Sequence, residues 1–154
     1  MAETAPITIR RLGRGDADTL RAMNDMFATA FGDPASSTAA PPSSAYLQKL
    51  LGGDSFIAIA AQEGSAVVGG LAAYELRKFE QERSEIYIYD LAVSENYRRR
   101  GIATALIGEL KRLGRERRAY VIFVQADYVD PPAIALYTKL GTREDVLHFD
   151  IAVE

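Results

Sequence analysis

The chain of 154 residues contains no cysteine, and its single histidine is His148. Without cysteine there is no disulfide bridge, thiolate zinc site, cysteine nucleophile or thiol redox chemistry. One histidine is too few for the two-histidine zinc motif of metalloproteases, and we expect no metal site. No apolar run approaches the roughly 18 residues that cross a bilayer, so we expect no membrane partner. These absences exclude thiol, metalloprotease and membrane-spanning functions.

The composition is that of an ordinary folded domain. Hydrophobic residues make up 48% of the chain and charged residues 25%, as in soluble globular proteins. The length suits one domain over residues 1–154, which buries about two thirds of the surface that the unfolded chain exposes. Residues 1–6 have neither the basic nor the apolar segment of a secretory signal, and we therefore expect a cytoplasmic location.

Charge is divided unevenly along the chain, whose net charge is -3. Residues 98–118 carry eight basic and two acidic side chains, a local charge of +6. Residues 125–154 carry six acidic and two basic side chains, a local charge of -4. This division favours a protein that binds an anionic ligand on one side and a cationic ligand on the other. Two solvated surfaces would give the same pattern, and charge alone does not separate the two interpretations.

Apolar periodicity and turn residues predict six strands and four helices. The strands are predicted at Ile7–Arg10, Phe56–Ala61, Val67–Leu76, Glu85–Val93, Tyr120–Val124 and Val146–Val153. The helices are predicted after the capping residue Asp16, around Tyr46–Leu51, from Gly101 onward and over 131–140. The order β-α-α-β-β-β-α-β-α-β predicts an α/β protein of mixed type, with helices on the faces of a mixed sheet. The segment 32–44, rich in proline, serine and alanine, predicts a loop that could close over a substrate.

The segment 90–103 is the most informative part of the chain. A predicted strand ends at Val93, arginines occupy positions 98–100, and a helix begins at Gly101. Unpaired N–H groups and the positive end of the helix dipole favour an anion there, and the arginines add charge. The segment therefore predicts a pyrophosphate site, with a solvated basic turn as the alternative. The glycine-rich fingerprints of ATP and NAD sites are absent, so neither nucleotide is favoured.

Two motifs in this part of the chain resemble those of the GCN5-related N-acetyltransferases. They read Arg98-x-x-Gly101-x-Ala103, preceded by Leu91-Ala92-Val93, and Ala133-x-x-Leu136-Tyr137-x-Lys139-x-Gly141. The resemblance implies an acetyl-CoA-dependent amine acetyltransferase whose central mixed sheet is mostly antiparallel, with helices on both faces. It implies that residues 91–93 receive the acetyl and pantetheine groups and that residues 98–104 hold the pyrophosphate. It also implies that Tyr137 lies near the thioester sulfur. The implied acetyl-CoA-binding residues are Leu91, Ala92, Val93, Arg98, Arg99, Arg100, Gly101, Ile102, Ala103, Thr104 and Tyr137.

Longer runs resemble the type I aminoglycoside (gentamicin) 3-N-acetyltransferases. They cover residues 79–81, 83–94, 101–107, 119–122, 124–128, 135–141 and 148–151. This resemblance implies direct transfer, in a ternary complex, to the 3-amino group of the 2-deoxystreptamine ring, with antibiotic resistance as the result. It also implies a homodimer. Asp130 and Thr142 depart from the wider family, which often has asparagine and an aromatic residue there.

Acetyl transfer to an amine requires a neutral amine, hydrogen-bond donors to the developing oxyanion, and a proton for the leaving thiolate. We assign Tyr137 as the general acid, because a phenol and a thiolate have similar basicity. Asp90, Asp127, His148 and Asp150 are expected to bind substrate ammonium groups, and one of them accepts the proton, directly or through water. His148 and Asp150 lie two residues apart, on one face of the predicted last strand.

Further candidates lie on the substrate side. Tyr87 and Tyr89 alternate with isoleucines, so both are predicted on one face of a strand that could line the acceptor cleft. Glu80 is a candidate substrate ligand, and Glu75 and Glu85 are secondary candidates for the same role. Each of these residues has a plainer interpretation as a packed strand tyrosine or a surface carboxylate. His148 could likewise be structural, and Tyr137 could be a core aromatic.

Two other functions remain open at this stage. The acceptor could be a different amine, such as a polyamine or a protein amine. The domain could also bind acyl-CoA without catalysing a reaction. A nucleic-acid partner is not expected, because the chain is acidic overall and the charges of 111–118 follow one face of an amphipathic helix.

Overall fold

The computed structural model describes residues 5–33 and 40–154. The chain separates into two compact units, with the boundary between Val124 and Gln125. A single domain over 1–154 therefore stays a prediction, and each unit is described by itself. Of the predicted lid, 34–39 lie outside the described residues. No helix in the described parts has the length and apolarity to cross a membrane.

The first unit carries most of the predicted elements. Its strands are β1 (Ile7–Arg11), β2 (Phe56–Glu63), β3 (Ala66–Arg77), β4 (Ser84–Val93) and β5 (Ala119–Val124). Its helices are α1 (Ala17–Ala30), α2 (Ser44–Gly52) and α3 (Ile102–Glu116), with short 3-10 turns at Arg14–Asp16 and Glu95–Tyr97. Each of these strands and α-helices lies within a few residues of its predicted position.

The five strands form one sheet in the order β1-β2-β3-β4-β5. Neighbours from β1 to β4 are antiparallel, whereas β4 and β5 are parallel. A parallel pair needs a long connection, and α3 provides it between β4 and β5. The predicted mixed, mostly antiparallel sheet is therefore confirmed.

Helices cover both faces of the sheet, as predicted. On β2, Phe56, Ala58 and Ala60 belong to the core beneath α1 and α2. The alternate residues Ile57 and Ile59 point to the other face and are fully buried. That face carries α3, which contacts β2, β3, β4 and β5. Burial on both sides explains why β2 is apolar at almost every position.

The helix α1 lies very close to β3, and glycine makes this possible. A Cβ atom on Gly70 would stand 2.5 Å from Cγ and Sδ of Met23, a side chain only 1% exposed. On the opposite face, a Cβ on Gly114 of α3 would meet Ile86 of β4 at an ordinary 3.5 Å. The sheet therefore holds α1 at a distance that a larger residue at position 70 would not allow.

The second unit contains the helix α4 (Pro131–Leu140), as predicted. The carboxylate of Asp130 caps it by accepting a hydrogen bond from the Ala133 amide at 3.3 Å, and prolines occupy the first turn. Asp130 therefore has a structural role at the position where the wider family often has asparagine.

The predicted last strand at Val146–Val153 is wrong, because residues 142–154 have no regular secondary structure. Its apolar side chains alternate as in a strand, but they are exposed: Leu147, Phe149, Ile151 and Val153. A strand needs a hydrogen-bonded neighbour as well as alternation, and within the second unit the only regular element is α4.

Candidate functional site

A cavity of about 490 Å³ lies in the first unit, where α1 and α2 meet β2, β3 and β4. Most of its wall is apolar, with Met23, Phe27, Leu47, Leu50 and Phe56 among the lining residues. The polar residues that line it are Arg21, Asn24, Asp25, Tyr46, Tyr74 and Asp90. This size and this mixture of apolar walls with a few polar groups are typical of small-molecule sites.

A bulge in β4 brings Asp90 to this cavity. Ala72 of β3 pairs with Asp90 and Ala73 pairs with Ile88, so Tyr89 is an extra residue without a partner on β3. Regular alternation would place Asp90 on the same face as the buried Ile88, against α3. The extra residue reverses the alternation and turns the Asp90 carboxylate toward the cavity.

The carboxylate of Asp90 has an unusual environment. It is half-buried, and no described residue donates a hydrogen bond or forms an ion pair to it. Burial without a compensating cation raises the pKa of Asp90 above the usual value for aspartate. Such a carboxylate is a stronger base than an exposed one, and it lies within reach of any molecule in the cavity.

Aromatic rings extend from the cavity across the same face of the sheet. Ring centroids are 5.4 Å apart for Phe56 and Tyr74, 6.0 Å for Tyr74 and Tyr89, and 5.7 Å for Tyr87 and Tyr89. Tyr87 then stacks on Phe123 of β5 at 4.7 Å. Tyr87 and Tyr89 thus share one face, as predicted. The cavity wall itself contains Tyr74 rather than these two, and their contact with a substrate stays a prediction.

The start of α3 has the geometry of an anion site. Gly101 adopts a left-handed conformation with φ of 76°, and the first helical hydrogen bond runs from the Ala105 amide to the Gly101 carbonyl at 3.0 Å. The amides of Ile102, Ala103 and Thr104 consequently lack acceptors within the helix. The side chain of Ile102 is buried, so this residue can offer a ligand only its backbone.

The three arginines before this helix are not equivalent. Arg98 donates from Nε to the carbonyl oxygen of Val93 at 3.0 Å, which ties the basic turn to the end of β4. The guanidinium of Arg100 lies over the ring of Tyr97 with 5.0 Å to the centroid. Arg99 is exposed and has a left-handed backbone with φ of 64°. All three keep positive charge beside the free amides of α3.

Strand β4 also presents backbone groups that pair on one side only. Its pairing with β5 ends where Ile88 meets Val124, although β4 continues to Val93. Leu91, Ala92 and Val93 therefore pair with β3 alone among the described residues. An extended ligand with amide groups, such as the pantetheine arm of CoA, would find partners along this edge. Together with the free amides of α3, these residues suit acetyl-CoA.

The second unit holds the other candidate catalytic residues. Burial and the negative charge of Asp130 raise the pKa of Tyr137, so its phenol holds its proton at neutral pH. His148 Nε2 lies 2.9 Å from Asp150 Oδ1, so these two side chains interact, although the strand predicted to place them on one face is absent. Asp127 is exposed, three residues beyond β5.

The glutamates proposed from the sequence have other partners. Glu80 forms an ion pair with Lys78 at 3.5 Å in the turn between β3 and β4, and it is absent from the cavity wall. Glu75 is nearly buried and pairs with Arg117 at 2.7 Å. Glu85 accepts a hydrogen bond from Tyr120. Glu75 and Glu85 therefore stabilise the fold, and no observation places Glu80 near a substrate.

Sequence reasoning missed five polar residues of the cavity wall: Arg21, Asn24, Asp25, Tyr46 and Tyr74. Asp25 lies on the exposed side of α1, and Tyr46 lies in the first turn of α2, where the side chain of Ser43 caps the helix by accepting from the Tyr46 amide at 3.1 Å. No motif marks these positions in the sequence. Among the described residues, no group of three histidines or carboxylates could hold a metal ion.

Comparison with known proteins identifies the family of this chain. Residues 20–142 match the model of the Acetyltransferase (GNAT) family. The crystal structure of an aminoglycoside acetyltransferase from an uncultured soil metagenomic sample is 57% identical, covers 97% of this chain and 99% of that chain, and has a TM-score of 0.94. A second soil metagenomic aminoglycoside acetyltransferase, in complex with sisomicin, is 32% identical over 96% of this chain and 97% of that chain, with a TM-score of 0.88.

Curated relatives match over shorter regions. N-acetyltransferase 8B of Rattus norvegicus is 26% identical over 89 residues, which are 58% of this chain and 40% of that protein. The matched region thus spans less than half the length of this relative.

Proposed function

This chain belongs to the acetyltransferase (GNAT) family, and we propose that it transfers the acetyl group of acetyl-CoA to the 3-amino group of the 2-deoxystreptamine ring of gentamicin-type aminoglycosides. The observation that carries the proposal is the 57% identity with a soil aminoglycoside acetyltransferase over almost the whole of both chains. The complex of a more distant soil enzyme with sisomicin supports the same class of acceptor. Position 3 rests on the sequence resemblance over the seven runs between residues 79 and 151 that are given above.

Acetyl-CoA supplies an activated thioester. The residues described above supply the base, the donors to the oxyanion and the acid. The reaction forms one nitrogen–carbon bond and breaks one carbon–sulfur bond. The amine gives up a proton, which we assign to Asp90, the half-buried base of the cavity. Backbone amides of 91–93 donate to the carbonyl oxygen as negative charge develops on it. Tyr137 gives its own proton to sulfur, so the products are a neutral amide and a thiol, and exchange with solvent then removes the proton from Asp90 and restores that of Tyr137.

Binding uses the two charged regions of the chain separately. The arginines 98–100 and the first amides of α3 are proposed to hold the pyrophosphate. Asp127, His148 and Asp150 are proposed to attract substrate ammonium groups, for which the -4 charge of residues 125–154 provides a favourable field. The resemblance also implies a homodimer, and light scattering would measure the mass in solution.

A thiol-release assay with acetyl-CoA and gentamicin tests the proposal, with NMR of the product to locate the acetyl group. We expect turnover and a single amide at the 3-amino position. Acetylation at another amine would refute the assigned position while leaving the aminoglycoside class intact. Turnover of spermidine or of a peptide N-terminus, with none for gentamicin, would refute the class of acceptor.

A further inference from the structure

The cavity has a second carboxylate that no step of the proposed reaction uses. Asp25 lies on α1 and lines the same cavity as Asp90 on β4. Its side chain is exposed, and it takes part in no hydrogen bond or ion pair with the described residues. Asp18, seven residues earlier on α1, is also exposed but does not line the cavity. Asp25 therefore has no evident role in the fold.

The nearest candidate to neutralise Asp25 is occupied elsewhere. Arg21 is one helical turn before Asp25 and also lines the cavity. Its guanidinium donates to the Pro42 carbonyl at 3.1 Å and to Ser44 Oγ at 3.3 Å, which ties α1 to the segment that leads into α2. Arg21 forms no ion pair with Asp25, so the carboxylate remains free to bind a cation that enters the cavity.

The rest of the cavity wall suits a ring with apolar edges. Tyr74 lies on β3 with its ring centroid 5.4 Å from that of Phe56, and it lines the cavity together with Tyr46 and Asp90. Aromatic faces of this kind stack against the C–H groups of a saturated ring. The wall thus combines two separate carboxylates with an apolar, aromatic surface.

We propose that Asp25 binds a second ammonium group of the acceptor while the amine that reacts lies at Asp90. The cavity then selects ring compounds that carry two or more amino groups over monoamines. This inference rests on the proposed function, because it identifies the acceptor site of that reaction. It adds a specificity-determining residue that makes no contact with the acetyl group.

The expected effect is modest, because Asp25 is exposed to solvent. Exposed ion pairs of this type correspond to about a twofold to fivefold change in affinity. Salt screens such pairs, so the effect should decrease as ionic strength rises. Asp25→Asn removes the charge with little change of shape, and Asp25→Glu keeps it. Asp18→Asn, on the same helix and outside the cavity, is the matched control for net charge.

The experiment compares two small acceptors that differ by one amino group: cis-1,3-diaminocyclohexane and cyclohexylamine. For each protein, kcat/KM is measured for both amines and for gentamicin at low and high salt. We expect Asp25→Asn to lower kcat/KM by about twofold to fivefold for the diamine and for gentamicin, with no change for the monoamine. Asp25→Glu and Asp18→Asn should behave as the wild type, and KM for acetyl-CoA should stay constant in all of them.

Two results would overturn the inference. One is an equal loss for the diamine and the monoamine, and the other is an effect of Asp25→Asn no larger than that of Asp18→Asn. If the wild type releases no thiol with any of these amines, the proposed function is wrong. Calorimetric titration of the diamine into the wild type and Asp25→Asn then decides the inference without turnover, because equal affinities would refute it.

Discussion

Replacing Asp90 with asparagine tests the assignment of the base most directly. Asparagine keeps the size of the side chain but can neither accept the proton nor carry the negative charge. No described residue donates a hydrogen bond to Asp90, so the substitution leaves no buried donor without its partner. Loss of activity in Asp90→Asn therefore reports the missing carboxylate itself.

The magnitude follows from the position of Asp90 in the cavity. General base catalysis contributes about 100-fold to 10,000-fold to a rate. Asp90 is half-buried rather than enclosed, so a water molecule can reach the amine and take over part of this role. We therefore expect kcat/KM to fall by about 100-fold to 1,000-fold, which corresponds to roughly 2.7 to 4.1 kcal/mol of transition-state stabilisation. Asp18→Asn should change kcat/KM by less than about twofold.

The pH dependence gives a second, independent readout. Asp90 must be ionised to accept a proton, so activity falls as pH decreases through its raised pKa. The ammonium group of the acceptor titrates in the same way for the wild type and the variant. The ratio of their kcat/KM values therefore isolates Asp90. This ratio should be constant at high pH and should fall toward one as the pH is lowered.

Stability should change in the opposite direction from activity. Burial raises the folded-state pKa of Asp90 above its unfolded value, so the folded protein binds this proton more tightly. The resulting stabilisation is present below the unfolded pKa and is lost as pH rises through the folded pKa. At pH 7 the ionised carboxylate thus destabilises the wild type, and Asp90→Asn should have the higher Tm. This difference in Tm should shrink toward pH 4.

Each readout can refute the reasoning separately. A variant with kcat/KM within about threefold of the wild type, or a wild-type to variant ratio that does not vary with pH, would show that Asp90 is not the base. The interacting pair His148 and Asp150 would then be the next residues to substitute. A lower Tm for Asp90→Asn at pH 7 would instead refute the argument from burial.

Three further predictions concern other parts of the molecule. Tyr137→Phe removes the proposed proton donor, and we expect kcat to fall by about 100-fold or more, while CoA affinity by calorimetry falls by at most about tenfold, as for one lost hydrogen bond; unchanged kcat would exclude the role. Gly70→Ala places a Cβ atom 2.5 Å from the buried side chain of Met23, and denaturant unfolding should show a loss of about 1 to 3 kcal/mol. Equal stability would mean that α1 can move away from β3. Gly108→Ala, in the exposed middle of α3 with open space around the new Cβ, should instead raise the free energy of unfolding by about 0.5 to 1 kcal/mol, and a loss would contradict the helix propensity argument.

Several features of the site could be predicted from the sequence because they depend on neighbouring residues. The anion site proposed at the start of α3 requires a strand end, a basic turn and a left-handed Gly101, all within a dozen residues. The interaction of His148 with Asp150 needs only a spacing of two residues in extended chain. The α4 helix likewise has its cap and its prolines at its own first turn. Local backbone preferences are sufficient to predict such features.

Other predictions failed where the outcome depended on distant partners. The segment Val146–Val153 has the alternation of a strand, yet the second unit contains no strand that could pair with it. Glu75 looked like a surface carboxylate near the substrate, but Arg117, 42 positions away, pairs with it and nearly buries it. Asp25 carries no sequence signal, because its position on α1 is that of an ordinary exposed residue.

By itself, the sequence determined the helices, five of the six predicted strands and the motif of the proposed acetyl-CoA site, because periodicity and turn chemistry act between near neighbours. Only the tertiary structure decided which carboxylates reach the cavity. The bulge at Tyr89 turns Asp90 away from α3, and it exists through pairing between β3 and β4. The close approach of α1 over Gly70 brings Asp25 to the same cavity. Both result from contacts between residues that are far apart in the chain, which no local pattern encodes.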